Sequence, residues 1–221
     1  ESVARMMEES FKRTCDRVAE RRRNPQDDLI TVLAFAEVDG ETLTDFEIFM
    51  GLGLLGAAGN DSTRSTYCSG MLELLRNDEQ RQLLLDDPSL IPGAVEECLR
   101  CFPAFAHFRR TAMRDVELHG QTIREGDKVL LWYVSGNRDE TVYEDPDVFD
   151  VRRKPEHQAF GGGGRHFCLG AALARLELRL LFEETLRRFP DMQLAGEPRR
   201  AKSVFLNQLK SLPVEFTPEA V

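Results

Sequence analysis

Phe160-Gly161-Gly162-Gly163-Gly164-Arg165-His166-Phe167-Cys168-Leu169-Gly170 runs straight into a helical pattern, and this stretch decides how the rest of the chain is read. Consecutive glycines let a backbone come very close to a flat partner. Cys168 falls just before the helix start, where N–H groups and the helix dipole suit an anionic sulfur. Arg165 and His166 stand beside it and can hold anionic groups. Together these features describe a cradle for a metal-bearing macrocycle with carboxylate arms. Taken singly, the cysteine also reads as a buried structural residue, and the glycines as a phosphate-binding loop. The whole string is what favours the cradle.

The surrounding 221 residues are those of a globular chain: 42% hydrophobic, 30% charged, with 38 acidic and 29 basic residues and a formal net charge of −9. That balance excludes collagen-like, mucin-like and mostly disordered classes. It also argues against a general nucleic-acid binder, which needs a basic field. Of the basic residues only Lys12, Lys128, Lys154, Lys202 and Lys210 are lysines. The rest are arginines, suited to bidentate ion pairs. No apolar run reaches the roughly 20 residues of a membrane span, and no segment has the pattern of a secretory signal. Five cysteines, an odd number, do not form a disulfide framework, so reduced thiols in a cytoplasm are the simpler reading.

Periodicity predicts mostly helix. Val3, Met6, Met7, Phe11 and Val18 mark a first helix, ended near Arg23-Asn24-Pro25. Asp27 and Asp28 open a short helix to Ala34, and Val38-Asp39-Gly40 is a turn. Thr44 and Glu47 form a capping box for a long helix reaching about Leu75. Its middle, residues 51–59, is apolar nearly all round and is expected to be buried. Further helices are expected over 78–85 and, with Pro92 in the first turn, up to about Cys101. Short strands follow within 108–118 and 122–132, then a long ordered loop over 135–159. Residues 171–189 form an amphipathic helix with Leu173, Leu176, Leu180 and Leu186 on a core-facing stripe. Residues 204–216 read as a hairpin.

Two more groupings carry chemistry. Glu97 and Arg100, at i and i+3, share a helix face and can pair, although such pairs are usually solvated and of little value. In Ala58-Gly59-Asn60-Asp61-Ser62-Thr63, a charged residue sits among small ones in an apolar helix, which is costly without a task or partner. A local helix opening around a satisfied polar residue is the plainer reading of that segment. Cys98-x-x-Cys101 with His107 suggests zinc only weakly, because a fourth ligand is missing. Cys15 and Cys68 read as helix-packing residues.

The Cys168 string resembles the haem-binding signature of the cytochrome P-450 monooxygenases. Gly164 and Gly170 match the pattern, and Phe160 stands one residue further from Cys168 than usual because of an extra glycine. The segment around Glu97 and Arg100 is similar to the family's buried Glu-x-x-Arg, and Arg153, from Phe149-Asp150-Val151-Arg152-Arg153, matches its third member. Ala58–Thr63 resembles the oxygen-binding groove, with Ser62 where the family more often has Thr.

The resemblance implies a mainly α fold with small β-sheets, the C-terminal half of the cytochrome P-450 fold. Residues 1–221 would be part of a single domain of a bacterial soluble member, its N-terminal half absent from this chain through truncation or proteolysis. It implies haem b (iron protoporphyrin IX), with Cys168 as axial thiolate and metal ligand, His166 and Arg110 on the propionates, and Phe160, Gly164 and Gly170 shaping the pocket. Glu97, Arg100 and Arg153 would form a structural triad beneath the haem. Asp61, Ser62 and Thr63 would relay protons to bound dioxygen. Leu54, Ala58, Ala104, Phe105 and Leu206 would touch substrate. The implied reaction inserts one oxygen atom into a small apolar, lipid- or sterol-like molecule, with electrons from a ferredoxin-type donor. The alternative is a fragment without turnover, haem-free or self-associated through the face that the absent half would cover.

Overall fold

Helix ends in the structure fall where the sequence supplies caps. The computed structural model describes residues 2–218. The chain divides into two compact units, one up to Asn60 and one from Asp61. In the first unit, α1 (Ser2–Arg23) ends on three arginines, which complement the negative end of the helix dipole. α2 (Leu29–Ala34) is capped by Asp28, whose carboxylate accepts the Thr31 N–H at 2.8 Å. Strands β1 (Glu37–Val38) and β2 (Glu41–Thr42) pair through a turn with positive φ at Asp39 and Gly40. This backbone twist suits a tight hairpin, and Gly supplies it without a steric penalty. Val18, Ala34 and Ile48 are the buried centre of this unit.

The long helix α3 (Asp45–Arg76) starts on the expected capping box. Thr44 Oγ1 accepts the Glu47 N–H at 3.2 Å, while Glu47 Oε2 accepts the Thr44 N–H at 2.8 Å. The expectation that residues 51–59 are buried is not met. Leu54 is 70% exposed, and every residue from 53 to 59 is open to solvent. An apolar face drives burial only where another element covers it, so composition alone could not settle its surroundings.

The second unit begins with the last part of α3, where Met71, Leu72 and Leu74 are buried. It continues through α4 (Asp78–Asp86), a 3-10 turn (Pro88–Leu90) and α5 (Ile91–Cys101). Then come β3 (His107–Thr111), β4 (Val116–Leu118), β5 (Gln121–Ile123), β6 (Lys128–Trp132) and the single turn α6 (Tyr133–Gly136). After the long loop follow α7 (Ala171–Arg188), β7 (Gln193–Leu194), β8 (Arg199–Arg200), β9 (Leu209–Ser211) and β10 (Val214–Glu215). Among the described residues the sheets are all antiparallel pairs: β1 with β2, β3 with β6, β4 with β5, β8 with β9 and β7 with β10. The expected hairpin over 204–216 is therefore absent. β9 and β10 each pair with an earlier strand, with Pro213 between them.

α5 is the centre of this unit, and eight of its eleven residues are buried. α7 packs against it, and of the expected stripe only Leu186 is buried. Leu178, Phe182 and Leu186 are buried at spacing i, i+4, i+8, whereas Leu173, Leu176 and Leu180 are exposed. Leucines surround most of α7, so the covered side is chosen by its neighbours. Gly70 of α3 makes room there: a Cβ on it would come within 2.6 Å of Cys98 Sγ and 2.9 Å of Phe182 Cζ. No helix among the described residues is long and apolar enough to cross a membrane.

Candidate functional site

The glycine loop is tied back on itself. Gly161 N–H donates to Gln158 O at 2.9 Å, Phe167 N–H to Gly164 O at 3.1 Å, and Cys168 N–H to Phe160 O at 3.0 Å. Gly161, Gly163 and Gly164 have φ of 88°, 98° and 74°, a region that side-chain-bearing residues rarely enter. At Gly163 and Gly164 the space that a Cβ would occupy, and 4 Å around it, is empty. Gly170 forms the start of α7, and the Ala171 N–H donates to Cys168 O at 3.3 Å. Cys168 therefore stands at the mouth of the helix, its thiol free and half-buried. Arg165 and His166 are exposed, and Leu169 is 89% exposed.

Glu97, Arg100 and Arg153, read as a triad, do meet. Glu97 and Arg100 are 0% exposed. Arg100 donates from Nε and Nη2 to the two Glu97 oxygens, each at 2.7 Å. Its other donors reach Asn137 O (2.9 Å), Pro146 O (2.7 Å) and Val148 O (3.1 Å). All the N–H groups of the guanidinium are thus used. Burial opposes the Arg100 charge, but the Glu97 hydrogen bonds and charge outweigh it and raise its pKa. Arg153 Nε reaches Glu97 Oε1 at 3.3 Å, and the Asp150 N–H reaches the same oxygen at 3.1 Å. Asn137, also fully buried, donates to Arg100 O and accepts the Gln158 N–H at 2.7 Å. A chain of polar contacts thus runs from α5 to the residues just ahead of the glycines. Burial pushes the Cys101 thiol up to about 12, with Glu97 adding to the shift, and burial pushes Cys98 well above its ordinary value. Both stay protonated at neutral pH. Among the described residues no cluster of His, Cys, Asp and Glu could hold a metal ion between them.

A second carboxylate, next to Glu97, has a separate set of partners that sequence reading missed. Glu96 accepts Arg175 Nε at 2.7 Å and Nη2 at 2.9 Å, and lies 3.0 Å from His157 Nε2. The Arg175 guanidinium sits 4.7 Å over the Phe160 ring. Partial burial works against the Glu96 charge, but the His157 and Arg175 hydrogen bonds more than compensate and lower its pKa to about 2. The only signal in the sequence was the surplus of arginine.

The remaining candidates are spread over both units. Asp61 is half-buried, and its carboxylate accepts Arg64 Nη2 at 2.8 Å. α3 stays helical through Gly59–Thr63, so the expected local opening is not present. Instead Ser65 Oγ donates to Asp61 O at 2.7 Å, a bond made inside an intact helix. Ser62 is half-buried, and Thr63 is buried. Leu54 and Ala58 lie in the first unit's part of α3, both exposed. In the second unit Phe105 and Leu206 form a β-bridge, and Asn207 N–H donates to Ala104 O at 2.8 Å, so these three candidates are adjacent. Arg110 is exposed on β3, opposite Val129.

This donor set fits a flat tetrapyrrole with carboxylate arms. A free, half-buried thiol adjoins glycine backbone with open space above it, and the exposed side chains of Arg165, Arg110 and His166 offer hydrogen-bond donors. Sequence comparison agrees. The Cytochrome P450 family model matches residues 1–208. Over 200 residues the chain is 47% identical to a methyl-branched lipid omega-hydroxylase of Mycobacterium bovis, covering 90% of this chain and 47% of the relative. Over 205 residues it is 45% identical to a steroid C26-monooxygenase of Mycobacterium tuberculosis, covering 91% and 55%. It also superposes on the crystal structure of CYP109E1 from Bacillus megaterium in complex with testosterone. The TM-score is 0.91 at 34% identity, covering 96% of this chain and 60% of that one. The chain belongs to the cytochrome P450 family. It spans about half the length of the curated relatives it matches.

Proposed function

We propose that residues 1–221 are the C-terminal, cofactor-holding part of a single P450 domain, and that the whole protein is a haem-thiolate monooxygenase of an apolar organic substrate. The observation that carries this reading is the free Cys168 thiol at the mouth of α7, on a loop whose glycine conformations leave its backbone bare. Haem b, when bound, supplies the activation of dioxygen. Cys168 would ligate its iron, His166 and Arg110 would hold the propionates, and Phe160, Gly164 and Gly170 would shape the pocket wall. Glu97, Arg100 and Arg153 would keep the surrounding loops in place without touching the reacting atoms. Asp61, with Ser62 and Thr63, would move protons: the carboxylate accepts and returns one, and each hydroxyl both donates and accepts. Two protons and two electrons are consumed as one oxygen atom enters a C–H bond and the other leaves as water.

The names of the relatives, a lipid hydroxylase and a steroid monooxygenase, support a lipid- or sterol-like substrate. Leu54 and Ala58 in the first unit, and separately Ala104, Phe105 and Leu206 in the second, are the residues that would touch it. The electron donor would be a ferredoxin-type protein and the compartment the cytoplasm. The test is the visible spectrum of the reduced carbon-monoxide complex. The thiolate-specific Soret band is expected in the parent and lost in Cys168→Ala; an unchanged band in that variant overturns the ligand assignment.

A second reading concerns this chain alone. Met50, Leu54 and Leu55 expose an apolar stretch of α3. By itself the chain would therefore self-associate without turnover. Light scattering should give a mass above the 25.1 kDa of one chain; a clean monomer counts against it.

A further inference from the structure

A run of glycines is a poor way to hold a sulfur atom still, because each glycine has more backbone freedom to lose than any other residue. The loop from Phe160 to Cys168 needs an external restraint, and the side chains meeting at Glu96 supply one. His157 stands three residues ahead of Phe160. Its Nδ1 accepts the Ala159 N–H at 3.2 Å, so Nε2 carries the ring proton that Glu96 accepts at 3.0 Å. Arg175 stands about one turn into α7, beyond Cys168, and grips Glu96 through a bidentate fork. The same guanidinium covers the Phe160 ring, and the Phe160 carbonyl accepts the Cys168 N–H. Contacts therefore run without a gap from Glu96 through Arg175 and Phe160 to Cys168.

We propose that Glu96 is a positioning residue: through His157 and Arg175 it clamps both ends of the glycine loop and so fixes the place of the Cys168 sulfur. The inference rests on the reading of Cys168 as the iron ligand. The division of labour explains two adjacent acids. Glu97 is taken up by Arg100, Arg153 and the Asp150 amide, which leaves the glycine loop to Glu96. The low pKa of Glu96 agrees, since its carboxylate remains charged throughout the range in which the protein would work. The fork and the stacked guanidinium are both features that a lysine at 175 could not reproduce.

The test uses the haem-loaded protein at full length, with Glu96→Gln and Arg175→Lys. Peptide-level hydrogen exchange is read over 157–170, with α5 as internal control. In each variant the loop amides should exchange roughly tenfold faster while α5 stays protected. Part of the reduced carbon-monoxide complex should leave the thiolate-specific band. The double variant should be no worse than the worse single, because both remove one clamp. Unchanged exchange over the loop overturns the proposal, as does a loss of protection spread evenly over α5 and the loop, which marks general destabilisation. Should Glu96→Gln fail to fold by far-ultraviolet dichroism, Arg175→Lys decides. The exchange readout does not depend on the iron ligand. A failed clamp is thus distinguishable from a wrong ligand, which Cys168→Ala reports.

Discussion

Arg100→Leu is expected to cost the second unit about 3–5 kcal/mol, the usual penalty for removing one partner of a buried ion pair. Against a typical total of about 5–15 kcal/mol for a domain, that removes a large share of the stability, and at the low end of that range it leaves up to about half of the molecules unfolded. The size follows from what is left behind. Glu97 keeps Arg153 at 3.3 Å, one backbone N–H and the weak donor of the Cys101 thiol at 3.7 Å against the charge of a carboxylate with no exposed surface. The carbonyls of Asn137 and Pro146 lose the donor they share, and unsatisfied buried acceptors add to the cost. Arg100→Lys should be nearly as harmful, since an ammonium cannot span two carboxylate oxygens and three carbonyls at once. Glu97→Leu combined with Arg100→Leu should recover part of the loss, because no uncompensated charge remains. Urea unfolding followed by far-ultraviolet dichroism measures all three. A loss below about 1 kcal/mol for Arg100→Leu would show that the pair behaves like a solvated one.

Glu97 and Arg100 illustrate what a sequence can and cannot tell. Their spacing shows that they can pair, but the partners that make the pair matter lie between 37 and 56 residues away. Local signals were read correctly where they act locally: the Thr44–Glu47 box and the Asp39-Gly40 turn involve bonds across three residues or backbone angles set on the spot, whereas Asp28, expected in the first turn of α2, is its cap. The Cys168 loop was legible for a related reason, since glycines in left-handed conformations declare themselves by composition. Most of the failures concern what covers a surface or which strand finds which partner. Residues 51–59 looked buried because they are apolar, and the face of α7 was misassigned because leucine lies on several sides of it. Strands of two or three residues, such as β9 and β10, carry too little pattern to reveal that their partners lie upstream. The Glu96–Arg175 fork, across 79 residues, has no local trace at all.

Acid should loosen this fork in a window that its geometry fixes. Glu96 has an ordinary pKa of 4.5, lowered to about 2 in the folded chain. A carboxylate with a depressed folded value adds stability that is fully present above its unfolded pKa. That contribution fades as the pH falls from about 4.5 to about 2, where the folded protein also takes up the proton. The full shift corresponds to about 3 kcal/mol. The Glu96 side chain keeps 28% of its surface in water, so screening reduces the realised figure to roughly 1–3 kcal/mol. Hydrogen bonds also lower the values of other carboxylates, including Asp139, Glu184 and Asp191, so acid acts on more than this one group. The informative quantity is therefore the difference in unfolding free energy between the parent chain and Glu96→Gln, measured from pH 6 downward. That difference should favour the parent at pH 6 and shrink steadily below pH 4.5, because the amide of the variant has no proton to take up. A difference that stays constant down to the acid transition would mean that the Glu96 carboxylate draws no net stability from Arg175 and His157, and the short distances would then reflect packing alone.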